Sequence, residues 1–222
     1  MENVSLILYI AIAVPLSGVL IFCERRSRTT LFFLLIGMTV CLFCGEVNTL
    51  LYRALPLPEE LFITNISPIT EEVCKALPVL AYAFLYYPPR KDLLVCSFAL
   101  GVGFAVLENA AVISSGESIS LWLALIRGFG CGISHGLCTM AVGYGCSYIY
   151  KRRKLFYTGT FALLAFSIIL HAVHNLLSVG GYDIAATVLA VALLILFRLM
   201  AGKRSDEKTD RDINNGESKD EE

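Results

Sequence analysis

The sequence predicts an all-α protein, a polytopic transmembrane bundle of about seven helices with its N-terminus outside and its C-terminus in the cytoplasm. Hydrophobic residues make up 56% of the 222 residues and charged residues only 17%, whereas soluble domains average about 45–50% and about 25%. Apolar runs of about 20 residues, enough to cross the hydrocarbon core, recur along the chain. Lys and Arg are concentrated in alternate loops, which indicates how the helices are oriented.

The composition also excludes several classes of protein. A soluble globular domain, a disordered chain and a nucleic-acid-binding protein all fit this hydropathy poorly, and the net charge of −1 gives no general attraction to polyanions. We therefore expect one membrane domain over residues 1–202, which lies in the lipid bilayer and does not bind nucleic acid. Residues 203–222 mix both charge signs with almost no apolar side chain, so we expect a disordered cytoplasmic tail.

The apolar runs and the short polar breaks between them define seven predicted helices. Polar residues interrupt the third and the fifth of these helices. The predicted helices cover residues 4–22, 31–54, 63–87, 92–113, 119–150, 155–178 and 182–200.

The charges in the breaks predict the orientation of the bundle in the cell membrane. The breaks at 24–30, 88–92 and 151–154 are rich in Lys and Arg, whereas those at 56–60, 114–120 and 180–183 contain neither. Cytoplasmic loops carry the excess of Lys and Arg in membrane proteins. An odd number of helices then places the N-terminus outside and the C-terminus in the cytoplasm.

Ionisable side chains inside the predicted helices are the most informative feature of the sequence. Each costs roughly 2.5–3.5 kcal/mol or more near the middle of a membrane helix, so each needs a partner or a function. All three histidines of the chain are among them. The set comprises Glu46, Glu71, Glu72, Lys75, Glu108, Arg127, His135, His171 and His174.

Helical spacing places several of these groups on common faces. Lys75 lies at i+4 from Glu71 and i+3 from Glu72, so it can offset part of their charge from the same helix. His171 and Asn175 are likewise separated by four residues. In the fifth helix Arg127, Cys131, His135 and Thr139 form one stripe, beside the glycines Gly128, Gly132 and Gly136, whose spacing favours close helix packing.

A rise of about 1.5 Å per residue predicts how deep these groups lie. From the predicted outer helix ends, Glu71 and Arg127 lie about 12 Å down, Glu108 about 8 Å and His171 about 10 Å. His135 comes out deeper, at about 24 Å. It joins the others only if the fifth helix begins later or if the site extends toward the midplane.

Simpler interpretations apply to the remaining polar groups. Glu46 has no motif around it and is interpreted as structural or cavity-lining. His174 fits a packing or supporting role. Cys41 and Cys44 have a redox or metal spacing, but they lie in mid-helix among apolar residues, which favours a structural role.

Four short motifs, in this order, resemble the PrsW family of intramembrane proteases, which is related to the CAAX prenyl endopeptidases. Residues 71–75 resemble its E-E-x-x-K motif and residues 104–108 its F-x-x-x-E motif. His135 stands where the family has a histidine on the next helix, and residues 171–175 resemble H-x-x-x-[ND]. The resemblance covers about residues 65–180.

The resemblance implies a multi-pass metalloprotease that cleaves a single-span membrane protein near the outer surface. An anti-sigma factor cut in the first step of regulated intramembrane proteolysis is the expected kind of substrate. The implied metal is Zn²⁺. On this basis we expect Glu108, His135 and His171 as metal ligands. The expected catalytic group comprises Glu71, Glu72, Lys75, Arg127 and Asn175, with Glu71 or Glu72 as general base. In this group Asn175 and Arg127 would hold the oxyanion or the ligand geometry.

Two alternatives remain open from the sequence. In the related prenyl endopeptidases, Glu and His have been proposed to act on water without a metal. A small ion- or proton-coupled transporter could use the same Glu and His cluster, although no internal repeat of the kind common in transporters is visible in the sequence.

Overall fold

The computed structural model describes residues 4–115, 120–149, 153–197 and 199, and within these residues the secondary structure is helical, with no strand. Seven long helices follow one another and confirm the predicted fold class. They are α1 (Val4–Val19), α2 (Arg25–Ala54), α3 (Ser67–Tyr86), α4 (Arg90–Ser115), α5 (Leu121–Cys146), α6 (Arg153–Val179) and α7 (Asp183–Phe197). The predicted tail, residues 203–222, lies outside the described residues.

Three of the described helices are long and apolar enough to cross a membrane by themselves: α2, α4 and α6. The helices α1 and α7 are apolar but shorter, and α3 carries Glu71, Glu72 and Lys75. These features support a multi-pass membrane protein. The orientation of the bundle stays a prediction.

The start of α2 differs from the prediction. The break at 24–30 was expected to be a loop, but α2 begins at Arg25 and continues to Ala54. Arginine is a good helix former, so the helix extends beyond the apolar run. The hydroxyl groups of Thr29 and Thr30 also donate to the carbonyl oxygens of Arg25 and Arg26, one turn earlier.

The chain enters α3 through an unusual turn. A short α-helical turn at Glu59–Leu61 leads into a π-helix at Phe62–Ile66, and α3 itself begins at Ser67 rather than at residue 63 as predicted. Pro68 occupies the first turn of α3, where the missing N–H group costs nothing. The wide turn therefore directly precedes the helix that carries three charged residues of the predicted site.

Helix α4 lies at the centre of the bundle, with its largest contacts to α2 and α5. A Cβ atom on Gly101 of α4 would overlap the backbone carbonyl group of His135 in α5, and one on Gly37 of α2 would overlap that of Leu100 in α4. The absence of side chains at these two positions lets the backbones approach closely. Gly101 thereby sets the distance between α4 and the turn that carries His135.

The predicted glycine stripe of α5 packs differently from the expectation. Gly136 does contact a neighbour, because an added Cβ would meet the Phe98 ring. Gly128 and Gly132, however, have nothing within 4 Å of an added Cβ, so the prediction of close packing was wrong at these two positions. The spacing identifies one face of a helix but not the element that faces it.

Candidate active site

The structure brings six of the predicted site residues into one cluster of hydrogen bonds and ion pairs inside the bundle. They come from four helices, because α3 supplies three residues while α4, α5 and α6 supply one each. Five of the six are buried, and the Glu108 side chain is 30% exposed. The six residues, called the Glu/His cluster below, are Glu71, Glu72, Lys75, Glu108, His135 and His171.

Glu72 orients two other members of the cluster. Its Oε1 accepts hydrogen bonds from Lys75 Nζ at 2.6 Å and from His171 Nδ1 at 2.9 Å, while Oε2 is buried without a hydrogen-bond partner. Because the N–H group of His171 is directed at Glu72, the other ring nitrogen, Nε2, is left as an acceptor. A carboxylate behind a histidine is the arrangement that commonly orients metal-binding histidines.

Lys75 is fully buried, and its charge is compensated from several sides. Besides Glu72, its ammonium group contacts His135 Nδ1 at 2.7 Å and lies 4.5 Å from the centre of the Phe104 ring. Phe104 also stacks on His135, with the ring centres 5.2 Å apart. The phenylalanine of the F-x-x-x-E motif thus supports both the lysine and the histidine.

His135 links Lys75 to Glu108. An ammonium group has only donors, so Nδ1 of His135 accepts from Lys75 and the ring proton lies on Nε2. This Nε2 lies 2.9 Å from Glu108 Oε2, and it therefore donates to that carboxylate. The tautomer is assigned from these partners.

The predicted depth of His135 is explained by the same contacts. Helix α5 begins at Leu121, only two residues later than expected, so a later start does not account for the difference. Instead, Lys75 lies one turn beyond Glu71 on α3 and contacts His135 there. The cluster extends along the helices toward the middle of the bundle.

Glu71 has one fixed and one unpartnered carboxylate oxygen. Oε1 accepts from the Ser67 hydroxyl at 2.6 Å, Ser67 accepts from Asn48 Nδ2 at 2.9 Å, and Thr70 donates to Asn48 Oδ1. The other oxygen, Oε2, is buried without a hydrogen-bond partner and lies 3.8 Å from His171 Nε2. That separation is too long for a hydrogen bond and suits a third atom between the two groups.

Two groups of side chains present possible metal ligands close together. The ligand atoms of Glu71, His135 and His171 lie within 4.8 Å of one another, and so do those of Glu108, Cys131 and His135. Buried imidazole and carboxylate donors are a typical zinc set. The buried, unpartnered Oε2 of Glu71 opposite His171 Nε2 also suits a cation, so these residues fit a metal.

The ligand set predicted from the sequence is divided between these two groups. Glu108 lies with His135 in one of them, whereas His171 lies with His135 and Glu71 in the other. Glu71 therefore takes the place beside His171 that the sequence assigned to Glu108. The roles of the individual residues stay predictions.

Arg127 and Asn175, the two other predicted site residues, lie beside the cluster. Nη2 of Arg127 is 3.9 Å from Glu108 Oε1, and its Nε donates to Asn109 Oδ1 at 3.2 Å. Asn175 was expected to stabilise an oxyanion or the ligand geometry. Its Nδ2 donates instead to the carbonyl oxygen of Ile63, within the π-helix, at 3.0 Å.

Two other polar residues singled out in the sequence, Glu46 and His174, take part in none of the described hydrogen bonds of the cluster. Glu46 is exposed on α2. His174 is buried and lines a small cavity against α7 with Ser134 and Ala186, in keeping with a packing role. The eight cysteines are free thiols.

Sequence reasoning missed the polar residues that hold Glu71 and Arg127 in place. Ser67 lies four residues before Glu71 and Asn109 directly follows Glu108. Extending the i,i+4 row of the E-E-x-x-K motif by one turn would have found Ser67. Asn48 has no such signal, because only the packing of α2 against α3 brings it to the site.

The sequence model of the PrsW family of intramembrane metalloproteases matches residues 25–202, which include the whole Glu/His cluster. The chain belongs to this family. The match begins at α2, although the PrsW-like motifs begin only at Glu71. No curated protein and no solved structure matches the chain. As a member of the PrsW family the chain is a membrane-embedded peptidase, and its buried Glu and His groups fit a metal site.

Proposed function

We propose that this PrsW-family protein is a metal-dependent endopeptidase that hydrolyses one peptide bond of a single-span membrane protein near the outer face of the cell membrane. An anti-sigma factor is the proposed kind of substrate. One observation carries the proposal. The buried, unpartnered Glu71 Oε2 faces His171 Nε2 at 3.8 Å inside a cluster built from four helices.

Glu71, His135 and His171 would hold the metal, and Zn²⁺ matches these donors. Bound there, the ion would polarise the attacking water and the scissile carbonyl group. His171 is prepared for this role, because its Nδ1–H group is held by Glu72. His135 can join through Nε2 only when the Nε2 proton leaves to solvent and Lys75 passes a proton to Nδ1, so that the imidazole stays neutral.

We assign the role of general base to Glu108. The sequence favoured Glu71 or Glu72, but Glu72 is fully buried and its Oε1 is already bound by two donors. Ser67 fixes Glu71 in an orientation suited to a ligand. The Glu108 side chain is 30% exposed, so it is the carboxylate of the cluster that water and substrate reach most easily.

Proton transfer by Glu108 completes the reaction. Glu108 accepts a proton from the water whose oxygen attacks the carbonyl carbon, and the carbonyl oxygen becomes an oxyanion. The guanidinium group of Arg127, next to Glu108, is placed to stabilise that charge. Glu108 then returns the proton to the amide nitrogen, the carbon–nitrogen bond breaks, and a carboxylic acid and an amine are released.

The placement of the cluster along the helices supports cleavage near the outer face. Glu108 lies about 10 Å before the end of α4, and His171 about 12 Å before the end of α6, at 1.5 Å per residue. The loop charges predict that both of these helix ends face outside. The substrate bond would therefore be reached from the outer leaflet.

Reconstituted proteoliposomes provide the test of this function. The purified protein would be combined with a panel of fluorescently labelled single-span reporters that includes an anti-sigma factor. We expect cleavage by the wild type and a rate about 10²–10⁴-fold lower for Glu108→Gln, since this is the usual contribution of a general base. Glu46→Gln, a change at an exposed glutamate outside the cluster, should cleave at the wild-type rate.

The same vesicles distinguish proteolysis from transport. A pH-sensitive dye trapped inside would report proton flux during the cleavage assay. Cleavage without flux supports the peptidase. Flux that Glu108→Gln abolishes, together with no cleavage of any reporter, would overturn the proposal in favour of a proton-coupled transporter.

A further inference from the structure

A second cavity, separate from the Glu/His cluster, lies between α2, α3 and α4. It has a volume of about 1080 Å³ and is lined by the first part of α2, the last part of α3 and the first part of α4. Pockets for drug-sized ligands measure about 300–1,000 Å³, so this cavity can hold a large ligand. On α3 the lining begins at Pro78, beyond the last cluster residue, Lys75.

The rim of this cavity is strongly basic. Four cations, Arg25, Arg26, Arg28 and Lys91, line it together with a single anion, Asp92, which gives a net charge of +3. Asp92 is bound to Arg26, with Nη2 and Oδ1 3.0 Å apart. The other three cations are exposed, and of the five N–H donors of Arg28 one is directed at the Cys23 carbonyl oxygen.

The walls of the cavity are mainly apolar and aromatic. Phe32, Phe33 and Ile36 line it from α2, Pro78 and Leu85 from α3, and Val95 from α4. Tyr82, Tyr86 and Tyr87 also line the cavity, from the end of α3 onward. Tyrosine is enriched at the level of lipid headgroups, because its ring is apolar and its hydroxyl group polar.

We propose that this cavity binds an anionic phospholipid. The phosphate of the headgroup would lie among Arg25, Arg28 and Lys91, and an acyl chain would lie along the apolar walls toward Pro78. The helix ends that form the rim belong to breaks that the loop charges place on the cytoplasmic side, where anionic lipids attract Lys and Arg. The cationic rim above an apolar wall complements both parts of such a lipid.

Binding of the lipid would also support α3. Pro78 lies one turn beyond Lys75 on the helix that carries three cluster residues. An acyl chain packed against Pro78 therefore fills space beside the helix that positions the site. A ligand that binds only the folded protein raises its stability, so the melting temperature gives a second measure of binding.

Lipid titration of the purified full chain in a neutral detergent tests the proposal. Dioleoyl phosphatidylglycerol and dioleoyl phosphatidylcholine would be compared by native mass spectrometry and by thermal unfolding. We expect phosphatidylglycerol to bind at least tenfold more tightly and to raise the melting temperature. Equal binding of the two lipids would overturn the proposal.

Two double variants distinguish lipid binding by the rim cations from nonspecific attraction to surface charge. Arg28→Gln with Lys91→Gln removes two rim cations, whereas Arg53→Gln with Lys154→Gln removes two exposed cations outside the cavity. At about fivefold per cation, the rim variant should bind phosphatidylglycerol about 25-fold more weakly and the control variant should be unchanged. Equal losses in both variants would show nonspecific attraction and contradict the proposal.

The acyl chain needs its own test. Ala81→Trp keeps all four rim cations and fills part of the wall, so it should abolish phosphatidylglycerol binding if the chain enters the cavity. Unchanged binding by Ala81→Trp, or full displacement of the lipid by millimolar glycerol 3-phosphate, would indicate a site for soluble phosphates and overturn the proposal.

Discussion

Lys75 determines how protons are arranged in the cluster. It donates to Glu72 and to His135, which places the ring proton of His135 on the nitrogen facing Glu108. Glu72 in turn holds the Nδ1–H group of His171. A single buried ammonium group therefore fixes the tautomer of one histidine directly and supports that of the other through Glu72.

Replacing Lys75 tests this arrangement at the level of stability. Lys75→Met leaves Glu72 buried without its counter-charge, and breaking such a pair costs about 3–5 kcal/mol. We expect the free energy of unfolding in detergent to fall by about that amount and cleavage to be lost. Adding Glu72→Gln should restore much of the stability but not the activity. Activity in the double variant would contradict the proposed role of Glu72 in orienting His171.

Metal binding should depend on pH. For Nε2 of His135 to bind the metal, its proton must leave and Lys75 must pass a proton to Nδ1, so the Lys75–His135 pair loses one proton in total and metal affinity rises with pH. Release of one proton predicts about tenfold tighter binding per pH unit. Calorimetric titration with Zn²⁺ in two buffers of different ionisation enthalpy measures the protons released. No released proton would contradict the assignment of His135 as a ligand.

At this scale the sequence predicts which residues meet but not which atoms they use. The motif spacing identified all six cluster residues, because buried charges in apolar helices are conspicuous. The spacing could not distinguish the proposed role of Glu71 from that of Glu108. The difference depends on the Ser67 hydroxyl group that fixes Glu71 and on the 30% exposure of the Glu108 side chain. Nor could the spacing reveal the partner of Asn175, a backbone carbonyl group of the π-helix; the predicted role of Asn175 stays a prediction.

Among the helices, the crossing of α4 and α5 positions His135. The approach is close because Gly101 has no side chain where it meets the His135 carbonyl group. The predicted G-x-x-x-G stripe of α5 is not the main cause, since Gly128 and Gly132 have nothing beside them. The glycine that permits the close approach is thus Gly101 of α4 rather than a glycine of α5. The residues around Gly101 in the sequence do not predict this contact.

Gly101→Ala should separate α4 from α5. The added methyl group meets backbone atoms that cannot move independently, and such overpacking typically costs about 1–3 kcal/mol. We expect a lower melting temperature and a large loss of cleavage, because His135 moves relative to Glu108. Gly45→Ala is the matched control, since nothing lies within 4 Å of a Cβ at that position on α2. Equal activity of the two variants would contradict the positioning role of Gly101.

For the whole molecule, the sequence predicted the fold class better than the helix ends. Hydropathy identified seven helices because a polar break separates each apolar run from the next. It misplaced the starts of α2 and α3, where arginines continue one helix and a π-helix precedes the other. The packing of α2 against α3 brings Asn48 and Ser67 together. This packing cannot be predicted from any single apolar run of the sequence.

The two sites occupy opposite parts of the bundle. Along α3, the Glu/His cluster lies near the start of the helix and the basic cavity near its end. With the predicted orientation, the proposed peptide hydrolysis would take place toward the outer face and the proposed lipid binding toward the cytoplasm. One helix therefore connects the proposed catalytic site to the proposed lipid site.

The most direct test of the proposed catalytic site is the metal content of the intact protein. Wild type, Glu71→Gln and Glu108→Gln would be purified without chelators, analysed by elemental mass spectrometry and assayed for cleavage. We expect about one zinc per wild-type chain and in Glu108→Gln, although the latter is inactive, and loss of both zinc and activity in Glu71→Gln. Zinc retained by Glu71→Gln but lost from Glu108→Gln, or no bound metal in an active wild type, would contradict the assignment.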